Sequence, residues 1–247
     1  MKVSIITVTY NSAKTLQRTL DSVQEQTYGN IEHILVDGDS TDGTLDIIKA
    51  NEQHIARYVS EPDEGIYDAI NKGIKMATGS IIGILNSDDV LSNEFVIEQI
   101  VRNLRRQKAD IAYGDLVYVD REDGDRIVRY WRSNKFKRRQ LYFGWMPPHP
   151  TMYVRRQVYE DCGLYSTALR ISADYDFMLR VLRHDKYKKV YIPQVLVRMA
   201  MGGISNRNIR TMWLKSREDY RVLRFNDVGG LITLVCKNLR KLVQFLR

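Results

Sequence analysis

With 44% hydrophobic and 28% charged residues, 5 Pro and 2 Cys in 247 positions, the chain has the composition of a folded globular protein, neither disordered nor fibrous. Cys162 and Cys236 are too far apart in sequence for a disulfide framework or a zinc knuckle. The Met1-Lys2 start has no signal-peptide pattern and no apolar window reaches the length of a membrane span, so a reducing cytoplasm is the expected address.

The net charge of +8 joins two unlike parts, −9 over residues 1–100 and +17 over residues 101–247. An acidic first part argues against a nucleic-acid binder, whose basic footprint should dominate. It suits a site that gathers carboxylates around a cation, while the basic remainder suits phosphates or an anionic membrane.

The first hundred residues alternate between two periods. Val3–Thr9 reads as a buried strand, Ser12–Gln26 as a helix with Leu16, Leu20 and Val23 at helical spacing, and Ile31–Val36 as a second strand. A turn cluster from Asp37 to Gly43 leads to a helix over Thr44–Asn51, a short strand over Tyr58–Ser60, a helix over Tyr67–Thr78 and a strand over Ile81–Leu85. Such alternation, with nearly all-apolar strands, predicts an α/β fold whose mostly parallel sheet is covered on both faces and binds ligands at its carboxyl edge.

A helix over Asn93–Arg106 follows, and then the pattern changes. Ile111–Val119 and Ile127–Trp131 predict an antiparallel hairpin. Thr151–Val154 and Val195–Met199 read as strands, Asp174–His184 as a helix, and residues 206–225 and 229–247 as two basic helices. The expected organisation is one domain over residues 1–205, with a nucleotide-binding-like half (1–100) and a half of different character (101–205), and a helical extension over 206–247.

Four successive strand ends deliver polar or acidic groups to one edge. They are Thr7, Thr9, Tyr10 and Asn11, then Asp37, Asp39 and Asp42, then Glu61, Asp63, Glu64 and Asp68, then Asn86, Ser87, Asp88 and Asp89. Crowded carboxylates repel unless a cation or a hydrogen-bonding ligand compensates them. A carboxylate accepts from a pyrimidine ring or a ribose diol, whereas a diphosphate needs a cation between it and the acids. With no His or Cys nearby, Mg2+ or Mn2+ held at Asp88 and Asp89 fits better than zinc. Asp39 and Asp42 also suit a turn-closing role.

These residues resemble a known family. Val3-Ser4-Ile5-Ile6-Thr7-Val8-Thr9-Tyr10-Asn11, Val36-Asp37-Gly38-Asp39-Ser40-Thr41-Asp42-Gly43-Thr44 and Leu85-Asn86-Ser87-Asp88-Asp89 look like the signatures of glycosyltransferase family 2, inverting enzymes of the GT-A fold that use nucleotide sugars. The run from Glu61 to Gly73 (EPDEGIYDAINKG) resembles the colanic-acid-type subgroup that builds bacterial surface polysaccharides. The resemblance implies that Thr7 and Tyr10 line the base, that Asp37 accepts from its ring, and that Asp88 is the metal-binding acid with Asp89 beside it. Thr9, Asn11, Asp39, Asp68, Lys72 and Asn86 complete the implied nucleotide set. Ala173-Asp174-Tyr175-Asp176 looks like the family's Glu-Asp motif, which makes Asp174 the implied general base and Asp176 its rival. Two positions depart from the pattern: Asn86 replaces the first acid of the DxD motif, and Ala173 replaces the Glu of the pair.

His149, between prolines, falls near the acceptor side by the same resemblance, and Trp145 and Trp131 are candidate sugar-stacking rings, although core packing suits either one better. Residues 202–205 could close over the diphosphate, with Arg198 or Arg207 supplying charge. In the last helix an apolar set (Leu231, Leu234, Val235, Leu242, Phe245, Leu246) and a basic set (Lys237, Arg240, Lys241, Gln244, Arg247) give a candidate for an anionic membrane surface, on the inner face of the cell membrane. The expected reaction moves a hexose-type residue from a nucleoside-diphosphate sugar, UDP-sugar favoured, to a saccharide or lipid-linked saccharide. A sugar nucleotidyltransferase is the rival enzyme, although no Gly-rich phosphate loop with a Lys follows the first strand. A non-catalytic basic binding protein is the rival outside catalysis. A glycoside hydrolase fits less well, because it needs no nucleotide pocket.

Overall fold

In the computed structural model, residues 1–120, 124, 126–201 and 209–243 are described. Strands β1 (Val3–Thr9), β2 (Ile31–Asp37), β3 (Arg57–Ser60) and β4 (Ile81–Ile84) pair in parallel in the order β3-β2-β1-β4. Helices α1 (Leu16–Gln24), α2 (Thr44–Ala50) and α3 (Ile66–Met76) are the crossovers between them. Every residue of β1 is buried, which is why the strand reads as a nearly continuous apolar run. Val3 and Ile5 face one core with Ile97, Ile100 and Leu104, while Ile6 and Val8 face another with Ile70, Ile74, Phe177 and Val181. Gly73 lets α3 lie close on β1: a Cβ there would stand 2.3 Å from an Ile6 methyl group.

Beyond β4 the sheet changes character. β8 (Tyr153–Arg155) runs antiparallel to β4 and to β6 (Ile111–Val119). β9 (Lys189–Ala200) is parallel to β6, β5 (Asp89–Leu91) is antiparallel to β9, and β7 (Ile127–Trp131) forms the expected antiparallel hairpin with β6. Most of the paired residues lie in parallel ladders, so the sheet is the mostly parallel one predicted. Helices α4 (Val96–Gln107), α5 (Arg156–Cys162), α6 (Ala173–Leu182), α7 (Ile209–Phe225) and α8 (Leu231–Val243) complete the fold.

Three differences from the expected elements have physical causes. α1 begins at Leu16 rather than Ser12, because the Ser12 carbonyl closes a turn by accepting from Thr15 and Leu16 N–H, leaving the Ser12 hydroxyl on Ser87. β9 is far longer than Val195–Met199: the ladder with β6 shifts register between Tyr113 and Asp115, and Pro193 falls in that irregularity, breaking the apolar alternation. β5 has no local signal, since its three residues exist as a strand only by pairing with β9.

The last helix corrects the face assignment made from sequence. Lys237, expected on the solvated basic face, is only 5% exposed and pairs with Asp219 at 2.8 Å. Thr233 and Leu234 are buried beside it, while Leu231, Ile232, Val235 and Leu239 are exposed. α8 therefore docks through a mixed polar face and presents an apolar one. Among the described residues no helix is long and apolar enough to cross a membrane.

Candidate functional site

The parallel strands bring the predicted strand-end residues to one edge. Register pairs Thr9 with Asp37 and Asp37 with Ser60. Asp37 is fully buried, and its carboxylate accepts from the Ser40 N–H (3.0 Å), the Ser40 hydroxyl (2.5 Å) and the Ser60 hydroxyl (2.7 Å). Ser40 and Ser60 are site residues that motif reasoning passed over. Only their short polar type next to an acid could have signalled them.

The turn after Asp37 is held to the loop after β1. Asn11, at φ 49, donates its N–H to the Ser40 hydroxyl (2.8 Å) and accepts from Thr41 N–H (2.9 Å). Asp42 accepts from Ala13 N–H, Thr44 N–H and the Thr44 hydroxyl, so its turn-closing role stands. Asp39 is exposed and left-handed at φ 64. The Tyr10 ring is 65% exposed, next to Gly38, where a Cβ would meet the Asp63 carboxylate at 2.6 Å. A flat face beside a side-chain-free residue is what a planar base needs.

Thr7 and Thr9 are buried. Thr7 shares a 2.9 Å hydrogen bond with His33 Nε2, and Thr9 Oγ1 is an unsatisfied buried hydroxyl. Lys72 bridges Glu61 (2.9 Å), the Pro62 carbonyl (3.0 Å) and Asp68 (3.4 Å). Its ammonium is thereby held above its ordinary pKa, Glu61 being the main cause.

After β4 come two unlike acids. Asp89 is fully buried at the start of β5, where it accepts from Asn86 Nδ2 at 2.8 Å while Oδ1 lacks any partner. Burial, reinforced by Asp88, pushes its carboxyl well above the usual range. Asp88 is half-exposed at the rim. Asn86, where a DxD motif would carry its first acid, is thus tied to Asp89.

Among the described residues no three His, Cys, Asp or Glu side chains gather as a closed metal cage. The donors here are all oxygen, Asp88 is accessible, and Asp89 Oδ1 is an orphaned buried acceptor. This set fits a hard divalent ion that takes one or two carboxylates and draws its other ligands from phosphate and water.

Across the sheet edge, Asp174 sits in the first turn of α6, half-buried. Its Oδ1 accepts from Tyr175 N–H at 2.7 Å and lies 3.3 Å from the Tyr67 hydroxyl, which also donates to the Ile171 carbonyl at 2.6 Å. Tyr67 stacks on Tyr165, whose hydroxyl bonds His149 Nε2 at 2.7 Å. Burial holds His149 below its ordinary pKa, with Asp174 opposing, so His149 is neutral near pH 7. Burial likewise raises the Tyr67 phenol, and Asp174 adds to the effect.

Asp176 is buried on another side of the helix, where it accepts from Arg180 Nε (2.8 Å) and Asn226 Nδ2 (2.9 Å). Both of its oxygens are committed to packing, which sets it apart from Asp174 as a candidate base. Trp145 is corrected as a stacking ring: it is 5% exposed, edge-on to Tyr113 and tilted against Phe136. Arg198 donates to the Gly124 carbonyl at 2.6 Å, and the 202–205 loop and Arg207 lie outside the described residues. Tyr118 connects the two acid stations: burial raises its phenol, the Arg129 guanidinium 4.5 Å from its ring opposes this, and Asp89 and Asp174 both add to the rise.

A parallel nucleotide half, a rim acid beside a buried one, and a second carboxylate on a helix start across the edge define a nucleotide-sugar transferase of the GT-A type. The sequence profile of glycosyl transferase family 2 matches residues 4–163, and the chain belongs to that family. It is 30% identical over 217 residues, 86% of this chain and 82% of the relative, to a PGL/p-HBAD biosynthesis glycosyltransferase of Mycobacterium bovis. It is also 27% identical over 224 residues, 90% of this chain, to the hyaluronan synthase of Pasteurella multocida, of which it spans 22%.

Among solved structures, S. aureus TarS 1-349 in complex with UDP-GlcNAc superposes with a TM-score of 0.71 at 19% identity, covering 100% of this chain and 72% of that one. The mannosyltransferase PcManGT from Pyrobaculum calidifontis, in complex with GDP-Man and Mn2+, gives 0.67 at 18% identity, covering 99% and 72%. At these identities the two structures speak for the fold alone.

Proposed function

We propose that the chain transfers a hexose-type residue from a UDP-sugar to a lipid-linked saccharide in bacterial surface-glycan biosynthesis, with Asp174 as general base. The observation that carries this is the pair of unlike carboxylate stations: Asp88, half-exposed after β4, and Asp174 in the first turn of α6, which the Tyr67 hydroxyl at the start of α3 approaches at 3.3 Å. The PGL/p-HBAD function of the mycobacterial relative and the colanic-acid-type run from Glu61 to Gly73 support a surface-glycan role.

Tyr10 offers its ring to the base and Asp37 accepts from it, in the pocket floored by Gly38. Thr7, Thr9, Asn11, Asp39, Asp68 and Lys72 shape that pocket, and Asn86, fixed by Asp89, faces the ribose. Asp88, with Asp89 behind it, would hold Mn2+ or Mg2+, which when bound offsets the charge of the departing diphosphate. Asp174 accepts the proton of the acceptor hydroxyl. That oxygen bonds to the anomeric carbon as the bond from carbon to phosphate oxygen breaks, with inversion. His149, neutral and hydrogen-bonded to Tyr165, stands on the acceptor side.

The acceptor's lipid calls for a membrane surface, and the C-terminal helices offer one. Among the described residues, ten of the sixteen exposed large hydrophobics lie on α7, α8 and the 142–143 turn that α8 contacts, with Phe225 at 81% and Ile232 at 79%. The exposed charges between residues 211 and 240 are Arg217, Arg221, Arg224 and Arg240 against Asp227. An apolar face rimmed by arginines matches an anionic bilayer. This face supports a location at the inner face of the cell membrane.

Calorimetric titration with UDP and GDP, with and without Mn2+, tests the donor. Mn2+-dependent binding of UDP in preference to GDP is expected, and preference for GDP, or binding of neither, contradicts the UDP-sugar reading. Flotation with phosphatidylglycerol vesicles tests the surface. The parent is expected to float and I232E/V235E to remain below, and equal behaviour of the two would refute the membrane role.

A further inference from the structure

Glu218 and Asp219, on α7, point inward and are 5% and 1% exposed. Buried carboxylates are costly unless their lone pairs are filled. Those of Glu218 are filled by three consecutive backbone N–H groups: Arg170 donates to Oε1 at 3.0 Å, and Ile171 and Ser172 donate to Oε2 at 2.9 and 3.0 Å. Asp219 accepts from the Ser172 hydroxyl at 2.8 Å and from Lys237 Nζ of α8 at 2.8 Å. The Lys237 ammonium also stands 3.3 Å from the centre of the Tyr175 ring. Asn226, just past α7, donates to Asp176 at 2.9 Å.

All of these contacts converge on residues 170–176, the segment that carries Asp174. Ser172 is the residue at the N-cap of α6, and its side chain makes no cap bond there. Its hydroxyl goes to Asp219 instead, so α7 supplies by charge what a local cap would normally provide. The segment's other hold is Tyr67, which bonds the Ile171 carbonyl.

We propose that Glu218, Asp219, Asn226 and Lys237 are positioning residues, fixing the 170–176 segment so that Asp174 stands where the acceptor hydroxyl is deprotonated. This rests on Asp174 being the base. The C-terminal helices then serve two ends: they face outward with an apolar surface and inward with the clamp on the reacting segment. Misplacing a catalytic group by about 1 Å costs about 10²-fold in rate, so the clamp acts on turnover and leaves the donor pocket, built from the first four strands, as it is.

The test is E218Q in the full chain, assayed beside D174N. Gln keeps the size of Glu but replaces one acceptor with an amide donor facing backbone N–H groups. The expected result is a kcat about 10- to 100-fold lower, with donor KM and calorimetric UDP affinity unchanged, while D174N shows almost no turnover. If E218Q does not fold, S172A, which removes only the bond to Asp219, carries the same test with an expected fall of about threefold. A folded E218Q, or S172A in its place, with parental kcat beside an inactive D174N overturns the positioning role alone. Full turnover in D174N overturns the base assignment and this proposal with it. A kcat loss matched by an equal loss of UDP-binding protein is misfolding and also counts against the proposal.

Discussion

The two carboxylate stations of the site are held by different kinds of structure. Over residues 1–100 the acids are fixed mostly by close neighbours in sequence: Asp37 by Ser40, Asp42 by Thr44, Asp63 by Gly65 and Asp89 by Asn86. Over residues 101–247, the segment bearing Asp174 is fixed by Glu218, Asp219 and Asn226, some 40 to 50 positions away, and by Tyr67 from the first part. Local holding fixes acids that are placed with their own turns. Remote holding makes the placement of Asp174 depend on the docking of two helices.

That contrast can be broken most forcefully at Lys237. K237M leaves Asp219 buried without its cation and is expected to lower stability by about 3–5 kcal/mol, read by urea denaturation. A loss below about 1 kcal/mol, the range of surface pairs, would mean that the α8 contact is incidental.

Residues 1–100 carry their own remote charge cluster, at the amino ends of β1, β2 and β4 rather than at the carboxyl edge, and this one is pH-sensitive. Burial alone would raise the Glu32 carboxyl, but Lys2, the Ser4 and Thr78 hydroxyls and the Thr78 N–H outweigh it and bring it from 4.5 to about 2. Its pKa is depressed by folding, so its contribution is present above pH 4.5 and is lost as the pH falls towards 2, about 3 kcal/mol in all. Burial lowers His33 from 6.5 to about 4, and the same sign applies: stability falls as the pH drops from 6.5 to 4, because only the unfolded chain takes up the proton. Denaturation midpoints at pH 7, 5, 4 and 2.5 should decline in turn; a flat profile from pH 7 to 4 would contradict the His33 assignment, and one from pH 4 to 2.5 the Glu32 assignment.

The smallest effect sharpens the comparison from the local side. D37N is expected to weaken UDP binding about tenfold with kcat at saturating donor within about twofold. A collapse of kcat would mean that the two stations are not separable.

The sequence made the local station legible and left the remote one largely unread, for the same reason. Val3–Thr9, Ile111–Val119 and Ile127–Trp131 form as predicted because their burial is written in their own residues. The turn acids are legible because Asp-Gly-Asp-Ser chemistry closes its own loop. Asp174 is proposed from a motif, but nothing near it signals Glu218 or Lys237. On a helical wheel Lys237 belongs to the solvated face, and only the tertiary partner Asp219 draws it inside. Trp145, a candidate for sugar stacking or for core packing by sequence, takes the second role, because Tyr113 and Phe136 enclose it.

The most direct test of the two-station account is D174N measured twice, for UDP affinity by calorimetry with Mn2+ and for single-turnover transfer to a lipid-linked saccharide acceptor. The account predicts parental affinity with transfer reduced by about 10³-fold, and D176N at equal folded concentration losing no more turnover than E218Q, because it disturbs only the bond from Asn226 that helps to hold the segment. Transfer preserved in D174N and lost in a folded, UDP-binding D176N would contradict it and move the base to Asp176.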